Sequence, residues 1–179
     1  MTALILFALT STLALEPDSA VFPEGLTCRA ALDAEVQYGS QPQTSLDRAL
    51  TLNVPAVFKR LFRGSPASVI YMCNGGVVQA RLIYIPFDSQ DAAQATFDIY
   101  RRALTQQFGK PCGHEAPVSR VEWKARHGAV TSLTLLPHST GQWQLLVETY
   151  EVQITKSPVP SDDPVSVQRH GSSSCEQSD

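Results

Sequence analysis

SVIYMCNGGVVQARLIYIPFDSQDAAQATFDIYRRALTQQFGKP, residues 68–111, holds two strand-like runs, a turn and a long helix in direct succession. Asn74-Gly75-Gly76 between β-branched and aromatic flanks is a hairpin signal, because glycine tolerates the positive φ that a two-residue turn needs. A period of two places Val69, Tyr71 and Cys73 on one side of the hairpin together with Val78, Ala80, Leu82 and Tyr84. After Pro86, Ser89 or Asp88 can cap a helix in which Ala93, Phe97, Tyr100, Leu104 and Phe108 recur at steps of three and four. Gly109 and Pro111 stop it. A one-faced helix must lie on something, and the apolar hairpin side beginning at Val69 is the surface offered.

Downstream, VSRVEWKAR alternates Val121, Trp123 and Ala125 with charged residues, the pattern of a half-buried antiparallel strand. His127-Gly128 and the stretch from Pro137 to Gly141 turn the chain into AVTSLTLL and QWQLLVETYEVQI, which completes a three-stranded meander. Trp123 and Trp143 read as core residues. Upstream, LDAEVQY alternates Leu32, Ala34, Val36 and Tyr38 with polar residues and reads as a strand, while TSLDRAL and PAVFKRLF read as two short helices. The expected fold class is α+β: an antiparallel sheet, hairpin plus three-stranded meander, covered by one long helix, with a smaller N-terminal α/β segment.

Residues 1–15, MTALILFALTSTLAL, are uncharged and too short to span a bilayer as a helix, and they read as a signal peptide. The expected organisation is signal peptide 1–15, linker 16–25, one domain over 26–155 and a disordered Ser/Pro/Asp-rich tail over 156–179. The expected compartment is periplasmic or extracellular. A net charge of −3 and a pI near 5.8 leave no electrostatic footprint for nucleic acid, and no transmembrane span is expected once the signal is removed.

Four cysteines in an exported chain are expected to pair. The strand from Val77 to Pro86, at about 3.3 Å per residue, and the helix from Ser89 to Phe108, at about 1.5 Å per residue, both run near 30 Å. The helix end thus returns to the hairpin turn, which brings Cys112 toward Cys73; Cys28 in the place of either partner is the alternative. Cys28 and Cys175 then remain, to pair or to stay free.

Chemistry is sparse. There is no G-x-S-x-G, C-x-x-C or H-E-x-x-H, and Asn74-Gly75-Gly76 precedes a strand where a phosphate cradle would open a helix. Asp88 with Asp91 and Glu148 with Glu151 do not form an acid/base pair, since the first two suit a helix N-terminus and the second two lie on opposite strand faces. One enzymatic alternative stands: a small hydrolase or metal-dependent enzyme on Cys112, His114 and His138. It lacks a fourth ligand at recognisable spacing, so neither catalytic residues, a metal nor a cofactor is expected.

The run from the helix through Phe108-Gly109-Lys110-Pro111, the strand with Trp123 and the closing LLVETYEV resembles small exported α+β modules of bacterial envelopes. The small lipoprotein of the outer-membrane β-barrel assembly machine and the β-lactamase-inhibitor protein share that layout. VIYMCNGGVVQARLIY is similar to the first strands of membrane-bound C-type lysozyme inhibitors, although a long helix follows here. The resemblance implies noncatalytic binding or inhibition and transfers no residue. The expected partner is another envelope protein or a second copy of the chain.

One surface is singled out. Ile70, Met72, Val77, Ile83 and Ile85 fall on the hairpin side away from the helix, too much aliphatic surface to leave in water. Either PAVFKRLF covers it as a helix through Val57, Phe58, Leu61 and Phe62, or it is an interface.

Overall fold

The computed structural model describes residues 26–52, 54–115, 119–124, 129–138 and 141–151, with the side chains of 113–115 and 151 left aside. The expected signal peptide, linker and tail lie outside these residues. In chain order come α1 (Cys28–Gln37), β1 (Gln41–Pro42), α2 (Leu46–Leu52), β2 (Ala56–Phe62), β3 (Ser65–Asn74), β4 (Val77–Phe87), α3 (Gln90–Phe108), β5 (Gly113–Glu115), β6 (Ser119–Lys124), β7 (Ala129–Pro137) and β8 (Trp143–Glu151). The strands form one sheet, ordered β1-β2-β3-β4-β8-β7-β6-β5, with every neighbouring pair antiparallel. The α+β class stands as expected; β3 and β4 are a hairpin, and β6, β7 and β8 pair in succession.

The helix α3 starts where Ser89 Oγ accepts from Ala92 N at 3.3 Å, and it ends at Gly109, whose φ of 86° is the left-handed geometry that glycine adopts without strain. It buries Ala93, Phe97, Tyr100 and Leu104 in a continuous core with Trp123, Leu133, Leu145, Val147, Ile83 and Ile85. That burial is the main driving force for the layer.

Two upstream segments differ from expectation. LDAEVQY is the body of α1: Thr27 Oγ1 accepts from Ala30 N at 3.2 Å, and Cys28, Ala31, Leu32 and Glu35 make one buried helical stripe. The alternation of Leu32, Ala34, Val36 and Tyr38 is accidental, and it leaves Val36 and Tyr38 exposed. PAVFKRLF is strand β2, joined to β3 by a two-residue turn at Arg63 (φ 48°) and Gly64 (φ 84°), with Phe62 opposite Ser65. Phe58 and Phe62 point into the same core as α3, so this segment does not shield the opposite face.

The hairpin face is also corrected. Gly75 and Gly76 form the turn with positive φ, and Cys73 pairs with Val78, but the register shifts by one between Met72 and Cys73. Gln79 is the extra residue of this bulge, which reverses the side-chain parity of everything after it. Tyr71 therefore faces Arg81 and Val69 faces Ile83. Ile83 and Ile85 are core residues at 1% exposure, not surface residues. Of the five proposed interface residues, Ile70 and Val77 are half-buried and Met72 is 41% exposed.

Candidate functional site

The cysteine pairing differs from the expected one. Cys28 is bonded to Cys73, with Cα atoms 6.1 Å apart. Leu26 to Cys28 runs against the start of β4, with Cys28 N donating to Gly76 O at 2.8 Å and Val78 N to Leu26 O at 3.0 Å, which sets Cys28 beside the hairpin turn. The matched lengths of strand and helix misled because α3 crosses the sheet from β4 toward β6. Cys112 emerges at the opposite edge, where its N donates to Glu122 O at 2.9 Å. Five strand intervals separate β3 from β5, about 24 Å at about 4.8 Å each. A Cys28–Cys175 bond is excluded by the same pairing.

Cys112 is itself disulfide-bonded, to a sulfur outside the described residues. It thus offers no thiolate, which removes the nucleophile from the Cys112, His114 and His138 alternative. The histidines do not converge either. His114 lies opposite Val121, which faces Leu133, whereas His138 follows Pro137 at the end of β7, about 17 Å further along the strand direction. Among the described residues no group of three or more His, Cys, Asp or Glu is placed to hold a metal ion.

The most chemically dense place in the core was not expected. Glu35 of α1 is 1% exposed and accepts from Ser40 Oγ at 2.5 Å and from Tyr71 Oη at 2.9 Å, while Arg60 Nε lies 3.2 Å from the same carboxylate. Arg81, also 1% exposed, sits beside Tyr71 across the β3–β4 pair. Burial, the largest influence, pushes the Tyr71 phenol well above its ordinary range; Arg81 pulls it down and Glu35 pushes it up. The phenol is therefore a fixed donor, and a buried carboxylate that accepts two hydrogen bonds beside a guanidinium is already occupied. The node fastens α1 to the sheet.

It could be missed for a definite reason. Read as a strand, residues 32–38 point Glu35 outward, and without the bulge Arg81 points outward too. The available signal was Thr27 as a cap ahead of an Ala-rich run, with Cys28, Ala31, Leu32 and Glu35 at helical spacing.

Next to this node the surface opens. A hollow of about 420 Å³ is lined by Gly39, Lys59, Arg60, Leu61, Ala67 and Ser68 among others, and a second of about 340 Å³ adjoins it beside Tyr38 and Arg63. Leu61 is 61% and Tyr38 51% exposed. The Arg60 guanidinium carbon sits 5.4 Å from the Tyr38 ring centre and 5.2 Å from that of Phe62, and the Arg63 carbon sits 5.1 Å from that of Tyr100. Lys59 Nζ donates to Ser68 Oγ at 2.5 Å. These cations gather at one edge of a chain whose net charge is negative.

On the sheet face away from the helices, Glu122, Ser132, Glu148 and Leu82 lie in one cross-strand row. Arg120 Nη2 donates to Glu122 Oε1 at 2.8 Å and lies 3.8 Å from Glu148 Oε2. Burial works against the Arg120 charge, but the hydrogen bond and charge of Glu122, then Glu148 and Tyr150, raise its pKa overall.

No protein family model, curated protein or solved structure matches the chain. No described helix is long and apolar enough to cross a membrane.

Proposed function

We propose that this chain is an exported, noncatalytic binding protein of the periplasm or extracellular space, and that it engages another envelope protein through the β2 edge. The observation that carries the reading is the contrast between a closed interior and an open edge. The buried carboxylate is already occupied and Cys112 is in a disulfide, whereas Tyr38, Lys59, Leu61 and Arg63 present an aromatic ring, an aliphatic side chain and cations to the outside. Tyr and Arg around an exposed apolar anchor are the composition of interface hot spots. Disulfides at Cys28–Cys73 and Cys112 fit an oxidising compartment. The resemblance of the sequence to small exported α+β modules points the same way, and the cations favour a partner surface bearing carboxylates.

The test is capture from an envelope extract by the immobilised full chain, compared with a Leu61→Asp/Arg63→Glu double variant. The expected result is a specific protein retained by the wild type and bound at least about tenfold more weakly by the variant. Sedimentation of the chain alone separates a second copy from a foreign partner. Capture indifferent to both substitutions would remove the β2 edge from the function.

A further inference from the structure

We infer that the segment 152–179 is the occupant of the sheet's outer face over β6–β8, strapped there by a bond between Cys175 and Cys112. Two independent observations carry this. The first is cysteine accounting: the sequence holds Cys28, Cys73, Cys112 and Cys175, the first two are joined, and Cys112 is bonded to a sulfur outside the described residues. Within one chain, Cys175 is the sulfur that remains.

The second is a gradient of burial across the face that carries no helix. On its β2–β3 half the side chains are half-buried to exposed, with Val57 and Ile70 half-buried and Leu61 at 61% and Met72 at 41% exposure. On its β6–β7 half Val130 is 1%, Ser132 0%, Thr134 4% and Glu122 4% exposed. Val130, Ser132 and Thr134 alternate with core-facing Thr131 and Leu133, so they belong to the outer face, and the described helices pack on the other. Whatever covers them lies over the half of the sheet that adjoins Cys112.

Length and composition suit the segment. Glu151 ends β8 and lies three strand intervals from β5, about 14 Å across the sheet. The stretch from Glu151 to Cys175 can reach about 80 Å when extended, far more than a crossing needs. Val165 and Val167 supply alternating apolar side chains for Val130 and Leu146. Closing the bond removes two protons and two electrons from the Cys112 and Cys175 thiols. They pass to a disulfide-bearing oxidant of the exporting compartment, which leaves as a dithiol.

The test uses the full oxidised chain. A nonreducing peptide map should link Cys112 to Cys175 within one chain; Cys112 linked to any other residue, to a second chain or to a small thiol overturns the inference. Carbodiimide labelling should then find Glu122 protected in the wild type and labelled several-fold more in Cys175→Ser. Glu122 already reactive in the wild type, or equally protected in both, overturns the covering role. Should Cys175→Ser fail to fold, mild native reduction of the wild type gives the same comparison. The Cys28–Cys73 bond is shielded by the burial of Cys28, while Cys112 is half-exposed and should open first.

Discussion

Tyr71 donates its phenol proton to Glu35 at 2.9 Å across the boundary between α1 and the sheet, with Arg60 and Arg81 beside them in the same buried node. Helix and sheet are thereby held by a charged contact inside an apolar core, an arrangement that is costly to break on one side only. Glu35→Gln leaves the buried Arg60 guanidinium without its carboxylate and should destabilise the protein by about 3–5 kcal/mol. Tyr71→Phe removes one hydrogen bond to a charged group and should cost about 1.5–3 kcal/mol. Urea unfolding of both variants measures the pair, and near-equal losses would show that Glu35 is not an ionic node.

The same contact sets an alkaline limit. The folded state raises the Tyr71 pKa through burial and, less strongly, through Glu35, so it keeps a proton that the unfolded chain releases near its ordinary value of about 10. The unfolded state therefore binds fewer protons above that pH, and stability falls as pH rises from about 10 toward the raised folded value. Below about 10 the contribution is complete. In Tyr71→Phe the alkaline slope should be shallower; Tyr84, raised by burial and by Glu148, keeps part of it. Chemical denaturation across the alkaline range checks the sign, and identical slopes in the two proteins would contradict it.

The Cys28–Cys73 bond closes a separation of 45 residues. For a loop of that size the chain-entropy estimate is about 4 kcal/mol, with strain and residual structure commonly lowering it. Cys28→Ala/Cys73→Ala should lose about 2–4 kcal/mol. The loss should be confined to stability, since the bond lies at the hairpin turn, away from the exposed β2 edge. A double variant that unfolds at the wild-type urea midpoint would contradict this.

The parts of the fold legible in the sequence are those specified by local chemistry. Ser89, the apolar stripe from Ala93 to Phe108, and Gly109 with Pro111 mark α3 without reference to any other segment, and Gly75-Gly76 marks the hairpin in the same way. Where a segment's period was ambiguous, tertiary context decided. Residues 32–38 satisfy a period of two as well as a helical stripe, and only the docking of Cys28, Ala31, Leu32 and Glu35 selects the helix. PAVFKRLF has a Phe58, Leu61, Phe62 stripe that suits a helix, yet the Arg63-Gly64 turn pairs it with β3. The disulfide was illegible because it depends on the angle at which α3 crosses the sheet, which no local pattern encodes. The charged node was hidden twice, by the helix read as a strand and by a bulge that carries no glycine.

That bulge yields the sharpest test of the architecture. An unbulged hairpin would put Ile83 and Ile85 on the face away from the helices and Leu82 and Tyr84 beneath α3. With Gln79 inserted, Ile83 and Ile85 lie in the core at 1% exposure, while Leu82 and Tyr84 are half-buried on the other face. Ile83→Ala should therefore destabilise by about 2–5 kcal/mol, the range for removing a fully buried aliphatic side chain. Met72→Ser, at a site 41% exposed, should stay within about 0.5 kcal/mol of wild type. Deleting Gln79 restores the simple alternation and drives Arg81 out of its node and Leu82 toward the core, so the shortened chain should lose the fold's cooperative unfolding transition. Calorimetry of the three variants reads this out. A tolerated deletion together with a mild Ile83→Ala would mean that the hairpin pairs without a bulge, and that Ile83 and Ile85 face outward after all.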